Sequence, residues 1–372
     1  GSPNALGGGR YTEGDDTVYE NNYSFLAVAR KDNLIQKLSG AVTFGGNLMY
    51  RGSKGMSGDS GQLDIENYFN LNNGINPATL SSYIKKRRMN SLYGVLNLNW
   101  DNYLYFDVTA RNDWSSTLHP DNNSYFYPSF NLSYIATEMM DRYGITLPTW
   151  LTFAKIRASY AEVGNDLEPY QLYNTYTMEK NSLGYNQIKP QKELFDPYVK
   201  SELIKSWEAG IDFRFLNGKI GIDATWYKSN ATNQLLSIEM HPMSGYDRKK
   251  VNAGNIQNQG FEIALNANIL ENPQGLNWSA TANFSRNKDK IIDLTDGVDT
   301  YSLGAFEDVR ILATKGGEYG AMYGKKYRRV EDKSSPYYGM KIVDGQGLPL
   351  FTDEYVYLGN QNPDCMLGIT NN

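Results

Sequence analysis

Long runs of this chain alternate residue by residue between apolar and polar side chains. That period of two restricts those runs to strands whose two faces meet different surroundings. From Trp207 to Phe215, one face carries Trp207, Ala209, Ile211, Phe213 and Phe215, and the other carries Glu208, Gly210, Asp212 and Arg214. After Leu216-Asn217-Gly218, the residues Ile220, Ile222, Ala224 and Trp226 oppose Gly221, Asp223, Thr225 and Tyr227. Asn217-Gly218 is a hairpin signal, because both residue types tolerate positive φ. A second hairpin pairs the stripe Phe261–Ile269 with the stripe Leu276–Phe284 across Leu270–Gly275. Similar stripes run through Leu38–Tyr50, Leu92–Trp100, Leu104–Ala110, Phe130–Ala136 and Trp150–Tyr160. Tyr23–Lys31 reads as a strand whose faces are not separated. The total is ten strands, several of nine to twelve residues or longer. Ordinary strands run to about 5–6 residues, whereas a tilted membrane-crossing strand needs about 9–11.

The connections point the same way. Short links are expected near Asp32–Ile35, Asp101–Asn102, Glu138–Thr149, Leu216–Gly218 and Leu270–Gly275. Long links are expected over Gly52–Met89, Ser115–Phe126, Gly164–Ile204, Lys228–Gly254 and Asn287–Asp364, alternating with the short ones. Outer-membrane barrels have this asymmetry, with short periplasmic turns and long extracellular loops. Trp100, Tyr103, Trp150, Phe215 and Trp278 sit beside short links, which suits an interfacial girdle. Met178–Pro190 and Asp332–Leu350 read as loops with local hairpins. Asp364–Asn372 reads as the start of an eleventh strand, and the exposed edges this leaves imply a section of a larger barrel.

Composition removes other classes. The formal charge is −5, so bulk electrostatics does not favour nucleic acid. One cysteine excludes an intrachain disulfide framework, and two distant histidines form no metal motif. No apolar run approaches the roughly 18 residues of a transmembrane helix. Gly1–Arg10 lacks the apolar core of a signal peptide. The 29 tyrosines, 14 phenylalanines and 6 tryptophans favour strands over helices.

No residue constellation points to catalysis. Glu208 and Asp212 share a strand face but read as hydrated polar surface rather than a glycosidase pair. There is no GxSxG elbow, and His119-Pro120 and His241-Pro242 read as surface turns. Gly7-Gly8-Gly9 and Gly52–Gly61 lack the lysine of a phosphate loop and read as flexible loops. Val343–Gly347 lacks the alternating acids of a calcium loop. The run Lys85-Lys86-Arg87-Arg88 reads as a solvated loop before a strand, with lipopolysaccharide phosphate or a partner as the alternative. The ligand-binding candidates are lumen or loop positions: Asp107, Arg111, Trp114, Tyr125, Tyr127, Tyr170 and Tyr173. Aromatic faces beside hydrogen-bonding groups suit sugars or peptides.

Five strings then carry a family resemblance. Gly254-Asn-Ile-Gln-Asn-Gln-Gly-Phe-Glu262 resembles a signature of SusC/RagA-type TonB-dependent transporters. Lys205-Ser-Trp-Glu208 with Gly210-Ile-Asp212 resembles the strand before it. Ala110–Ser116, Gly317–Gly324 and Leu358–Asp364 are similar to three further segments, in family order. Trp114 stands where the family usually has glycine, and Cys365 where an aromatic is common. The resemblance implies an all-β fold: a section of an antiparallel transmembrane β-barrel with long extracellular loops and without its plug domain, residues 1–372 forming no separate second domain. It implies a non-enzymatic outer-membrane importer of glycan or peptide oligomers in Bacteroidota-type bacteria, with no cofactor. Its implied partners are outer-membrane lipid, a SusD-like surface lipoprotein, and TonB–ExbB–ExbD acting through an N-terminal segment absent here. Two other readings are a passive porin-like barrel and a soluble β-rich carbohydrate-binding protein.

Overall fold

A computed structural model describes residues 9–372 apart from Ser182, Pro273 and Asp296. Gly7 and Gly8 of the glycine run lie outside the described residues. In chain order the strands are β1 (Arg10–Ile35), β2 (Leu38–Gln62), β3 (Thr79–Trp100), β4 (Leu104–Ser115), β5 (Ser124–Ile135), β6 (Leu151–Asn165), β7 (Tyr176–Lys180), β8 (Asn186–Pro190) and β9 (Glu193–Leu194). They continue as β10 (Glu202–Phe215), β11 (Ile220–Glu239), β12 (Arg248–Leu270), β13 (Trp278–Asp293), β14 (Thr300–Phe306), β15 (Val309–Thr314), β16 (Ala321–Gly324), β17 (Val356–Asn360) and β18 (Met366–Asn371). One short helix, α1 (Ala136–Arg142), lies between β5 and β6.

The main sheet runs β1-β2-β3-β4-β5-β6-β10-β11-β12-β13-β18, antiparallel throughout, so each strand follows its chain predecessor except where loop strands intervene. This path contains the ten expected strands and the eleventh at the C-terminal end. β9 adds a two-residue parallel bridge to β12. β14–β17 form a separate four-stranded sheet, and β7–β8 a hairpin. Both belong to links at the loop end of the main sheet.

Register shows why the alternation matters. One hydrogen-bonded row passes through Val42, Leu96, Val108, Phe130, Tyr160 and Trp207. The next passes through Leu98, Phe106, Leu132, Ala158, Ala209, Trp226 and Phe261. Each row stays on one face, because paired residues in a pleated sheet point the same way. The first row enters β3 close to its short-turn end and reaches β13 at Lys288, far from its own. That drift is the stagger of tilted strands in a barrel wall.

The apolar face has no protein over it. Phe44, Ile156 and Trp226 are 51%, 49% and 47% exposed, and Phe106, Phe130, Leu132, Phe261 and Leu265 are exposed with them. A contiguous apolar face of this size is stable only against lipid. The fully buried apolar residues instead gather in small clusters under the loops, one at Leu118, Leu167 and Val199 and one at Ile291, Leu294 and Ala313. A soluble β-rich protein would place its core behind the stripe that here lies open, which removes that reading.

Several boundaries differ from expectation. Gly52–Met89 and Lys228–Gly254 are mostly strand, with links only at 63–78 and 240–247. The link after β4 shrinks to 116–123. Strict alternation of link length therefore fails, since the 136–150 link at the short-turn end carries α1. The asymmetry lies largely in the strands, which continue past the apolar band at one end. Backbone pairing does not stop where lipid stops, and in water neither face must be apolar, so the sequence signal fades there. For the same reason Lys85–Arg88 lies inside β3 rather than in a loop. Lys85 and Arg87 share the polar face with Ser91, and Lys86 and Arg88 the opposite one with Leu92.

At the short-turn end, Trp150 stacks on Phe215 at 5.8 Å and Tyr103 meets Tyr134 at 6.2 Å. Lys37 reaches Asp101 at 2.7 Å across two adjacent turns, and this bond raises the lysine above its ordinary pKa.

Leu265→Lys and Ala264→Lys separate the two faces. The first puts a charge in the apolar band and should cost about 2–4 kcal/mol near the midplane. The second adds a cation beside Asp223 and Glu262 on the polar face. Quantitative blotting of outer-membrane fractions should show loss of the first variant and near-normal levels of the second.

Candidate functional site

The polar face of β3, β4 and β5 carries a dense cluster near the loop end. Register aligns Ser91, Asp113 and Tyr125 in one row, with Arg111 and Tyr127 in a neighbouring row. Arg111 Nε donates to Asp113 Oδ1 at 2.9 Å, and its Nη2 donates to Ser91 Oγ at 3.1 Å. Tyr127 Oη donates to the other Asp113 oxygen. The Arg111 guanidinium lies 6.0 Å from the centre of the Tyr127 ring. Tyr125 stacks on Tyr127 with centroids 6.0 Å apart and planes 20° off parallel. Asp113 is buried, so its two bonds hold both partners against the wall.

A second carboxylate ties this cluster to the loops. Asp166 follows β6, and its side chain is 1% exposed. It accepts from Arg87 on β3, from Ser115 at the end of β4, and from Thr117 Oγ1 at 2.9 Å. Arg87 Nε is buried without an acceptor among the described residues. The Tyr125 ring lies over Gly164 at the end of β6, where any side chain would collide with it. Tyr125 also packs on Leu118, Leu167 and Val199.

The structure thus brings Arg111, Tyr125 and Tyr127 together. Asp107 lies nearer the short-turn end of the same face, where it accepts from Asn97 at 2.7 Å and from Asn131 at 3.0 Å. Trp114 has the parity of Phe106 and Val108, so it belongs to the opposite, apolar face. Tyr170 and Tyr173 sit in the β6–β7 link, 60% and 59% exposed. The Tyr170 hydroxyl accepts from the Lys86 backbone N–H at 3.2 Å, which docks that link on β3. Sequence reading missed Ser91, Thr117 and Asp166, and it placed Arg87 only within the basic run of a solvated loop and Ser115 only within the Ala110–Ser116 string. Asp113 lies within the quoted Ala110–Ser116 string but carried no assigned role. Asp166 had no signal, because a loop aspartate after a strand is commonplace until its burial is known.

Farther along the wall, Arg157 on β6 crosses β10 to reach Asp223 on β11 with two bonds, at 2.9 and 2.7 Å. The crossing passes over Gly210, where a Cβ would stand 2.7 Å from Arg157 Nε. Glu208 and Asp212 flank Gly210 on the same strand face. They sit beside Arg157 as wall charges. His119 lies against Tyr198 with ring centres 4.9 Å apart, and His241 Nδ1 accepts from the Met243 N–H. No group of three or more His, Cys, Asp or Glu is placed to hold a metal among the described residues.

The two family-like strings of the long β13–β18 link, Gly317–Gly324 and Leu358–Asp364, also converge. Gln361 N–H donates to Gly320 O at 3.1 Å, and Asn360 pairs with Ala321. Asp289 on β13 accepts from Tyr319 N–H at 2.5 Å and from Asn362 at 3.4 Å. This anchors the four-stranded sheet to the main wall. In the β7–β8 hairpin, Lys189 and Gln187 donate to Glu179 and hold its carboxyl below the ordinary range.

The profile of the TonB-dependent receptor-like β-barrel family matches residues 2–337. TonB-dependent receptor P3 of Formosa agariphila is 27% identical over 82% of this chain and 32% of its own length. TonB-dependent receptor SusC of Bacteroides thetaiotaomicron is 27% identical over 78% of this chain and 30% of its own. The chain spans about a third of the length of these curated relatives. Among solved structures, the RagAB peptide transporter superposes with a TM-score of 0.77 over 97% of this chain and 40% of that one, at 18% identity. That likeness concerns the fold.

Two outcomes test the cluster. Asp166→Ala strands Arg87 and frees the two hydroxyls, which should cost on the order of 3 kcal/mol. Limited proteolysis should then cut the β6–β10 link faster while the β-sheet circular dichroism persists. For Glu179 the folded pKa is depressed, so its contribution is present above the ordinary value of 4.5 and is lost as pH falls through the lower folded value. Amide protection in β7–β8, corrected for the intrinsic pH dependence of exchange, should hold at pH 5 and fall only as the pH drops below the ordinary value of 4.5.

Proposed function

The chain belongs to the TonB-dependent receptor β-barrel family, and from that premise we propose that it is a section of a SusC-type importer of nutrient oligomers. Proteins of this family are receptors and transporters of the outer membrane, not enzymes. Residues 1–372 form part of one barrel domain in this reading. Energy comes from TonB acting on the whole receptor, and a SusD-like lipoprotein covers the loop end. The ligand is a glycan or peptide oligomer. RagAB is a peptide transporter, which supports the peptide half of that pair.

The observation that carries the reading is the division of labour on the polar face. A buried ionic lattice, built on Asp113 and Asp166, fixes the wall and the bases of the loops. Tyr170, docked on Lys86 next to Arg87, and Tyr173, three residues on in the same link, are then left exposed. Such rings accept the C–H faces of sugars or the side chains of peptides, and the neighbouring amides and hydroxyls supply hydrogen bonds. Each contact is weak, and an oligomer gains affinity by making several.

Uptake by the intact receptor in cells provides the test. Import of oligomers should stop when TonB is removed or the proton gradient is collapsed, whereas a passive pore would continue to conduct. Within the importer, the double change Tyr170→Ala with Tyr173→Ala should weaken oligomer binding by about 5–150-fold, from about 0.5–1.5 kcal/mol for each of the two aromatic contacts. Calorimetry on purified receptor measures this, and unchanged affinity would remove these rings from the ligand site.

A further inference from the structure

On four neighbouring strands the outward face is wholly apolar from the short-turn end upward, and it then turns polar within one step, to a cation on three of the four. The band holds Phe215 to Trp207 on β10, Ile220 to Trp226 on β11, Ile269 to Phe261 on β12 and Trp278 to Phe284 on β13. The next outward residues are Lys205, Lys228, Gln259 and Arg286, and β13 continues outward with Lys288 and Lys290. Strand counts place this change about ten residues from the turns, the length that crosses the apolar layer. Trp207, Trp226 and Phe261 lie directly beneath it, as an interfacial girdle should.

Of these cations only Lys205 has a carboxylate partner among the described residues. Glu162 is the acid on this face, and it takes a bond from Tyr160 and lies 3.5 Å from Lys205. Lys228, Arg286, Lys288 and Lys290 have no ion-pair partner among the described residues. Arg286, Lys288 and Lys290 stand two residues apart on one face of one strand, about 7 Å from one to the next, and repel each other unless an anion lies between them. A hollow of about 300 Å³ opens there, lined by Trp226, Gln259, Phe261, Arg286 and Lys288. On β3, beyond Asn90 and so two and three steps above the band, Arg88 and Lys86 also lie on the outward face, with Arg88 over the Tyr50 ring at 5.1 Å.

We infer that this patch binds the phosphate groups of a phosphorylated glycolipid in the outer leaflet, with its acyl chains on the apolar band below. Continuity with the lipid-facing band favours a lipid headgroup over a free anion. A second copy docking by the same face would set these cations against each other. The site rests on the outer-membrane placement of the chain and not on the importer reading, so its test reads lipid and not uptake.

The probe is bisphosphorylated lipid A in phosphatidylcholine vesicles, with the full-length receptor purified in mild detergent. Lipid A retained per receptor is counted by mass spectrometry. The variants are Lys228→Gln/Arg286→Gln/Lys288→Gln and the charge-keeping Lys228→Arg/Lys288→Arg, each checked for heat-shifted gel mobility as evidence of a folded barrel. A surface cation contributes about fivefold, so the glutamine variant should retain at least tenfold less lipid A and the arginine variant as much as wild type. Dephosphorylated glycolipid should be retained as poorly by wild type as by the glutamine variant, and inorganic phosphate at matched concentration should not compete. The inference is overturned if the folded glutamine variant keeps its lipid A. It is equally overturned if the phosphates make no difference, if free phosphate displaces the lipid, or if the variant changes oligomeric mass with lipid unchanged.

Discussion

Inside a bilayer no water is available to satisfy a backbone N–H or C=O, so continuous strand pairing is the constraint on which the rest of this structure depends. The main sheet meets it with an unbroken antiparallel meander in which each strand is held on both sides, its two end strands excepted. Once pairing is continuous, the pleat gives every strand one face toward lipid and one toward the interior. The apolar rows from Val42 to Trp207 and from Leu98 to Phe261 follow from that, as does the absence of a globular core.

The interior face has a different problem. Its charges stand on a wall that must stay ordered without apolar packing, and here long side chains reach across strands to do it. Arg157 crosses β10 over Gly210 to Asp223, and Asp107 collects amides from the strands on either side. Tyr125 lies across Gly164 in the same manner. Gly210 and Gly164 are therefore positions where a neighbour's side chain needs the room, in segments that otherwise favour bulky residues. The buried carboxylates of Asp113 and Asp166 extend the same device to the loop bases, where burial makes each ionic bond worth more than its exposed counterpart.

Some of this was legible in advance and some was not. The number of wall strands, the pairing of neighbours and the lipid-facing stripe could be read largely from alternation, because the membrane imposes it, although within β1 the segment Tyr23–Lys31 showed no separated faces. Strand ends on the loop side could not, since β2, β3, β11 and β12 run on into water, where neither face must be apolar. Of the candidate residues, Arg111, Tyr125 and Tyr127 share a face through register, while Trp114 falls on the other by parity. The parity was available in the sequence. The role of Asp166 was not, because it depends on three segments far apart in the chain meeting at one oxygen pair.

By itself the sequence determined a wall of long antiparallel strands with one oily and one polar face, because a period of two maintained over ten residues admits no other regular structure. It also carried the strings that tie the chain to its family. Tertiary structure alone decided which polar residues are structural ties and which remain open to a ligand, and it gathered single lysines and arginines from separate strands into a patch at one height. Alternation is a property of neighbours along the chain, whereas burial, ion pairing and height in the membrane are set by register and stagger between strands, which no single strand encodes.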